Sequence, residues 1–191
     1  MFNGRTLRFP TFVLTEIDME KEFKLRSWEK QDLSSLVRYA DNLNIARNMT
    51  DMFPHPYSEA DGIAFIEFAN TAGSAHIFAI EADGEAVGGI GIHPQHDIHR
   101  KNAELGYWLG EPFWGMGIIS RAIQQAVDFA FRNYEIDRIF ARPFGSNTTS
   151  QKVLEKNGFT LEARFAKTLI KNGELQDELV YAIRRENFYQ D

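Results

Sequence analysis

The residues best placed to do chemistry lie between Asn102 and Ser120, where the sequence reads NAELGYWL, then GEPFWGMG, then an amphipathic segment from Ile118. A strand, a glycine loop and a helix in that order make an anion site. Gly115 and Gly117 carry no Cβ, so the loop backbone approaches a ligand closely. The N–H groups of the helix's first turn have no partner inside the helix and sit at the positive end of its dipole, and a pyrophosphate suits that position. Two nucleotide-binding patterns are excluded. A dinucleotide turn needs a third glycine and an acid at the end of the next strand, whereas Ser120 stands at the third place and Glu135 and Asp137 precede the strand RIFARP. A phosphate-binding P-loop needs a lysine after its last glycine, and Ile118 follows Gly117. His93, His96 and His99 recur around Asp97, but with Pro94 among them and strands on either side they read as a polar loop rather than a metal site. The run GGIG at residues 88–91 lies within a strand, where it lets another backbone come close.

The flanking segments supply the elements that hold these residues. FKLRSW from Phe23 alternates as a strand, and residues 31–41 follow with Leu33, Leu36, Val37 and Ala40 at helical spacing. A helical patch spans 43–49, FPHPY breaks the chain, and Ser58 caps a helix carrying Ile63, Ile66 and Phe68. Residues 76–81 and 86–93 are strands joined through Asp83-Gly84, a tight-hairpin dipeptide, and 102–109 is a third strand. The helix from Ile118 buries Ile119, Ala122, Ile123, Ala126 and Ala130 and turns Arg121, Gln125, Asp128 and Arg132 outward. Residues 138–143 form a strand, 146–157 a short helix ended by Gly158, and 159–161 an extended piece. Strands 167–170 and 174–183 flank Asn172-Gly173, a type I′ turn signal. An early meander followed by strand–helix–strand units predicts an α/β (α+β) domain on one mixed, mostly antiparallel central sheet flanked by helices.

Composition narrows the function. The chain has 191 residues, 43% of them hydrophobic and 25% charged, with no cysteine, so one folded domain is expected and thiolate, zinc-ribbon and disulfide chemistry are absent. Twenty-one basic and 27 acidic residues give a net charge of −6, with no basic run for a nucleic acid to bind. No apolar stretch approaches the ~18 residues of a membrane helix, and a cytoplasmic protein is expected. Residues 1–22 read as an N-terminal extension and 23–191 as the domain.

Three blocks in order, AELGYWL, FWGMGIISRA and NTTSQKVLEKNGFTLEA with a terminal hairpin after them, resemble the GNAT superfamily of acetyl-CoA-dependent N-acetyltransferases, in particular its ribosomal-protein branch. The resemblance spans 23–185. It implies that Gly115, Met116, Gly117, Ile118, Ile119 and Ser120 bind the pyrophosphate of acetyl-CoA. It further implies that the strand end around Trp108 and Leu109 pairs with the pantetheine amides and that Asn147 holds the diverging strand and touches the cofactor arm. Trp114 and Ile119 depart from the commoner loop, which has Arg or Gln before the first glycine and Gly or Ala two places after the second. The tyrosine acid of many relatives is replaced by Leu154; Ser150 resembles a serine that protonates the leaving thiolate. An attacking amine must be neutral, and an α-amine is about a tenth neutral at pH 7 against below roughly 0.1% for a lysine; Glu104 is the expected base, directly or through water. The plainer roles are a helix cap for Asn147, a helix-surface serine for Ser150, and for Glu104 an ion pair with Arg100 or Lys101. Lys152, Lys156 and Arg121 read as solvated helix charges, and His55 belongs to a loop that shapes acceptor sites in similar proteins. The expected activity is direct acetyl transfer, in a ternary complex, to a primary amine, either a protein N-terminal α-amine or a small molecule. No metal or nucleic acid takes part, and a homodimer involving Phe188 and Tyr189 is compatible. The alternative is a non-catalytic acyl-CoA-binding or sensor domain of the same fold.

Overall fold

A computed structural model of the protein describes residues 21–71 and 76–189; the expected extension at 1–22 therefore lies almost wholly outside the described residues. In chain order the elements are β1 (Lys24–Arg26), α1 (Leu33–Ala40), α2 (Leu43–Ala46), α3 (Glu59–Thr71), β2 (His76–Ala82), β3 (Glu85–Pro94), β4 (Asn102–Leu109), α4 (Ile118–Asn133), β5 (Arg138–Ala141), α5 (Thr148–Lys156), β6 (Thr160–Lys171), β7 (Glu174–Arg184) and α6 (Arg185–Phe188). The strands make one seven-stranded sheet, β1-β2-β3-β4-β5-β7-β6. Every neighbouring pair is antiparallel except β4 with β5. This is the mixed, mostly antiparallel sheet expected from the sequence.

Both hairpins form where their turn residues demand. Asp83 and Gly84 have φ of 52° and 80°, Asn172 and Gly173 of 51° and 80°, so both central residues of each turn are left-handed and the turn twist matches that of the strands. Ser58 caps α3 reciprocally: its Oγ accepts from the Asp61 N–H at 3.3 Å, and the Asp61 carboxylate accepts from the Ser58 N–H at 2.8 Å.

Two cores sandwich the sheet. On one face α4 buries Ile118, Ala122, Ile123, Ala126, Val127 and Ala130 against Ile92, Leu105 and Leu109. On the other, Leu36, Ala40 and Ile66 of α1 and α3 pack on Trp28, Ala79 and Trp108. The last turn of α4 is closed by Arg185, whose guanidinium donates to the carbonyls of Phe131, Tyr134 and Ile136, a cation at the negative end of the helix dipole.

α3 carries Ile63, Ile66 and Phe68; Ile66 is buried and the other two are exposed, because at about 100° per residue positions 63, 66 and 68 cannot share one face. Two expectations are corrected. Arg121 does not face solvent freely: its guanidinium lies 4.9 Å over the Phe23 ring and donates to the Lys21 carbonyl, the long stem covering apolar surface. Residues 160–171 form one strand instead of two pieces. A register shift between Phe165 and Leu169 and a left-handed Lys167 break its alternation as a bulge does. At the end of the described chain Phe188 packs on Phe131, with ring centroids 5.7 Å apart.

Candidate functional site

The site begins where the sheet opens. β4 pairs with β3 along its whole length, to Leu109 opposite Gly88, but with β5 only at Asn102, Ala103 and Glu104. Pro143 follows β5, and its carbonyl accepts from the Leu179 N–H at 3.1 Å. A proline has no N–H to continue a ladder, so the chain after β5 turns onto β7 and leaves β4. The N–H and C=O groups of an antiparallel strand point alternately to its two sides. The Asn102 carbonyl accepts from Gln95 at 2.9 Å and the Gly110 N–H donates to Val87 at 2.7 Å, so even-numbered residues turn to β3. The main chains of Leu105, Tyr107 and Leu109 therefore face the gap. Among the described residues no strand pairs with that stretch of the edge. Leu109 is on it as expected, whereas the main chain of Trp108 belongs to the β3 side and its indole lies in the α1/α3 core against Gly89, where an added Cβ would come within 2.8 Å of Nε1.

The glycine loop continues directly from this edge. Gly115 and Gly117 have φ of 77° and 72°, and an added Cβ at either would meet nothing within 4 Å, so conformation, not crowding, requires glycine there. Gly117 is the N-cap of α4 and has no side-chain cap bond. The helix's first bond, from the Arg121 N–H to the Gly117 carbonyl, is 3.2 Å long. The N–H groups of Ile118, Ile119 and Ser120 precede it and point out of the helix end. The loop is braced from outside: Trp114 Nε1 donates to the Leu109 carbonyl at 2.7 Å, and the amides of Asn42 and Asn44 donate to the Glu111 carboxylate at 2.7 and 3.0 Å. Those amides hold the Glu111 carboxyl below its ordinary pKa. Ser120's side chain is turned away from the loop; its buried Oγ accepts from Asn157 Nδ2 at 2.9 Å and ties α4 to α5. Ile119 is partly buried against the α4 core, and Met116 is exposed at the loop tip.

Across the gap stands α5. Asn147 is its N-cap, with Oδ1 accepting from the Ser150 N–H at 3.1 Å. Ser150 Oγ lies 2.7 Å from the Tyr107 phenol oxygen. Burial pushes the Tyr107 phenol up to about 12, the hydrogen bond with Ser150 pulling the other way, so it is protonated at physiological pH. Leu154 is fully buried. Tyr107 is absent from the sequence expectations, although its spacing of two residues from both Leu105 and Leu109 places it on their face.

Glu104 projects to the opposite face of β4 and is clamped by Arg142, with Nε and Nη2 donating to its two carboxylate oxygens at 2.9 and 3.0 Å. The partner is thus Arg142, not Arg100 or Lys101. Arg142 also reaches Glu178 at 3.4 Å, and the bond to Glu104 is the largest cause holding its guanidinium above its ordinary pKa. His93, the last residue but one of β3, stands opposite Glu104 in register. Its burial lowers its pKa, countered by the Glu104 charge. Among the described residues no cluster of three or more His, Asp or Glu is arranged to hold a metal ion. On this same face Phe53 packs on Trp108, centroids 5.8 Å apart. Beside it lies a cavity of about 320 Å³ lined in part by Arg47, Asp51, Phe53, His55 and Lys171. Lys171 Nζ bonds Asp51 at 2.8 Å, joining the β6–β7 tip to the loop before α3. Lys152 and Lys156 are exposed.

Residues 22–160 match the family model described as acetyltransferase (GNAT) domain. The ribosomal-protein-serine acetyltransferase of Escherichia coli K12 is 33% identical over 110 residues, covering 58% of this chain and 61% of that protein. The spermidine N(1)-acetyltransferase of the same strain is 26% identical over 172 residues, covering 86% and 87%. A solved structure of a ribosomal L7/L12 α-N-protein acetyltransferase in complex with coenzyme A superposes with a TM-score of 0.75 at 25% identity, over 85% of this chain and 93% of that one. With an open β4 edge running into an uncapped helix start, and a family model matched across both, the chain belongs to the GNAT family of acetyl-CoA-dependent N-acetyltransferases.

Proposed function

We propose that the protein transfers the acetyl group of acetyl-CoA to the α-amine of a peptide or protein N-terminus, by direct attack within a ternary complex. The observation that carries this reading is the continuous path from the bare edge of β4 to the glycine loop. A pantetheine arm needs in-line amide partners, supplied by the main chain of Tyr107 and the N–H of Leu109, whose carbonyl is held by Trp114. A pyrophosphate needs convergent N–H donors, supplied from Gly115 to Ser120. Asn147 then acts chiefly by fixing the first turn of α5 and with it Ser150.

The groups available for proton transfer lie on both sides of that path. The amine nitrogen attacks the thioester carbonyl carbon, the tetrahedral adduct collapses with cleavage of the C–S bond, and the sulfur takes a proton from the Ser150 hydroxyl. The proton lost by the amine passes to Glu104 directly or through water, and solvent returns one to Ser150. The acceptor enters on the Glu104 face, beside Phe53 and Trp108. A polyamine is disfavoured there, because Arg47 and Lys171 contribute two cations to the neighbouring cavity against the single carboxylate of Asp51.

The test is an acceptor panel with acetyl-CoA: short peptides with free N-termini, the same peptides blocked at the N-terminus but carrying lysine, and spermidine. Thiol release and the mass of the acceptor are followed together. Acetylation at the free α-amine is expected. Exclusive acetylation of spermidine, or CoA release without an acetylated acceptor, would defeat the reading.

A further inference from the structure

Resting on that reading of Ser150 as the acid, we propose that Tyr107 is a positioning residue for acyl transfer: its phenol donates to Ser150 Oγ across the gap between β4 and α5 and turns the serine proton toward the thioester.

A serine hydroxyl has one proton and two lone pairs. Its backbone is already fixed by the bond from the Ser150 N–H to Asn147 Oδ1 at 3.1 Å, so the remaining freedom is rotation of the hydroxyl itself. Two arrangements satisfy the 2.7 Å contact. If serine donates to tyrosine, its proton is occupied and cannot reach the sulfur. If tyrosine donates, one serine lone pair is filled and the proton is left for a partner in the gap. The second arrangement is favoured chemically, since a phenol is a stronger donor than an alkyl hydroxyl and its ring-conjugated oxygen a poorer acceptor. The phenol keeps its proton through the neutral range, burial being the main cause. Placement agrees: Tyr107 sits midway along the bare stretch of β4, on the α4/α5 face with Leu105 and Leu109, and the hydroxyl pair is the polar bridge between β4 and α5 next to the gap.

The experiment compares Tyr107→Phe, Ser150→Ala and the double variant at saturating acetyl-CoA and peptide. Tyr107→Phe should lower kcat about 10-fold, the effect of about 1.4 kcal/mol, with KM for both substrates within about twofold and an unaltered thermal shift on adding acetyl-CoA. In the double variant the phenylalanine should cost nothing beyond the loss caused by Ser150→Ala alone, since an orienting group has nothing left to orient. A merely structural tie would instead lower the unfolding temperature and raise KM with kcat intact. A wild-type kcat for Tyr107→Phe, or additive losses in the double variant, overturns the proposal while leaving Ser150 as the acid. A wild-type kcat for Ser150→Ala removes the acid assignment and this proposal with it. If Tyr107→Phe does not fold, 3-fluorotyrosine at position 107 keeps the ring and strengthens the donor. An undiminished kcat is then expected at neutral pH, and a fall overturns the orienting role.

Discussion

Replacing Gly117 by alanine separates the two things this glycine does. Its φ of 72° is left-handed and the space around it is open, so an added methyl meets no atom and the direct cost is conformational. That cost is about 1–2 kcal/mol, offset by roughly 0.4–1 kcal/mol from a stiffer unfolded chain, for a net loss near 1 kcal/mol. In a chain of this length 1 kcal/mol moves the midpoint by about 2–4 °C. The second effect falls on the ligand. At a hundredfold excess over Kd, acetyl-CoA stabilises the wild type by about 2.7 kcal/mol, a shift of about 5–10 °C. If the tilted loop forfeits one charge-assisted bond to the pyrophosphate, worth about 2 kcal/mol, Kd rises about thirtyfold. The same ligand concentration then contributes only about 0.9 kcal/mol, or about 2–4 °C. Gly173→Ala is the matched control: its φ is 80° and its surroundings equally open, but it lies at the β6–β7 turn, away from the helix start. Differential scanning fluorimetry with and without acetyl-CoA should show similar losses in the free proteins and a collapsed ligand shift in Gly117→Ala alone. A full ligand shift in Gly117→Ala, or an equal collapse in Gly173→Ala, would refute the placement of the pyrophosphate at this helix.

Three further outcomes are expected. Glu104→Gln should depress turnover about 100-fold or more, the range of a lost general base, with the acetyl-CoA thermal shift preserved; unchanged turnover excludes Glu104 as the base. Asn147→Ala should lower the unfolding midpoint by about 2–4 °C, the loss of one N-cap of about 1 kcal/mol, and a simultaneous fall in the acetyl-CoA shift would show that the amide also touches the cofactor. Alkaline stability tests Tyr57, whose phenol is pushed up to about 12 by burial and then by the charge of Asp61. The folded state keeps a proton that the unfolded state releases near pH 10, so this contribution is intact below about pH 10 and disappears as pH rises through about 12. Tyr57→Phe should flatten the fall of the midpoint across that interval, and an unchanged slope would remove Tyr57 as its source.

What the sequence discloses is what is local. Asp83-Gly84 and Asn172-Gly173 specify their hairpins because the needed conformations belong to those residues themselves. The glycine loop is legible for the same reason, since strand, Gly115, Gly117 and helix follow within a few residues. The ion pair of Glu104 is not, because Arg142, 38 residues further along the chain, is brought to it by the parallel register of β4 and β5, a tertiary fact with no trace in the sequence between them. β6 reads as two pieces because a bulge around Lys167 resets its period, and period is the signal by which strands are recognised. Tyr107 is the instructive case: strand alternation puts it with Leu105 and Leu109, yet a tyrosine among apolar neighbours looks like core until Ser150 is seen opposite its hydroxyl.

The spacing of Glu104 and Tyr107 also bears on the proposed mechanism. Three residues apart on one strand, they lie on opposite faces, so the carboxylate and the hydroxyl pair flank the same open edge from two sides. A covalent serine intermediate would require a base within hydrogen-bond reach of Ser150. Its Oγ instead meets a neutral phenol, while Glu104 is across the sheet and held by Arg142. Separation of the two groups is a defect for activating a serine but an advantage for joining two substrates. In the proposed reaction the thioester on the α4/α5 face would meet Ser150 there, the amine arriving from the Glu104 face would meet the carboxylate, and neither group would have to change sides between bond formation and C–S cleavage. The arrangement therefore favours direct transfer between two bound substrates over a relay through the protein.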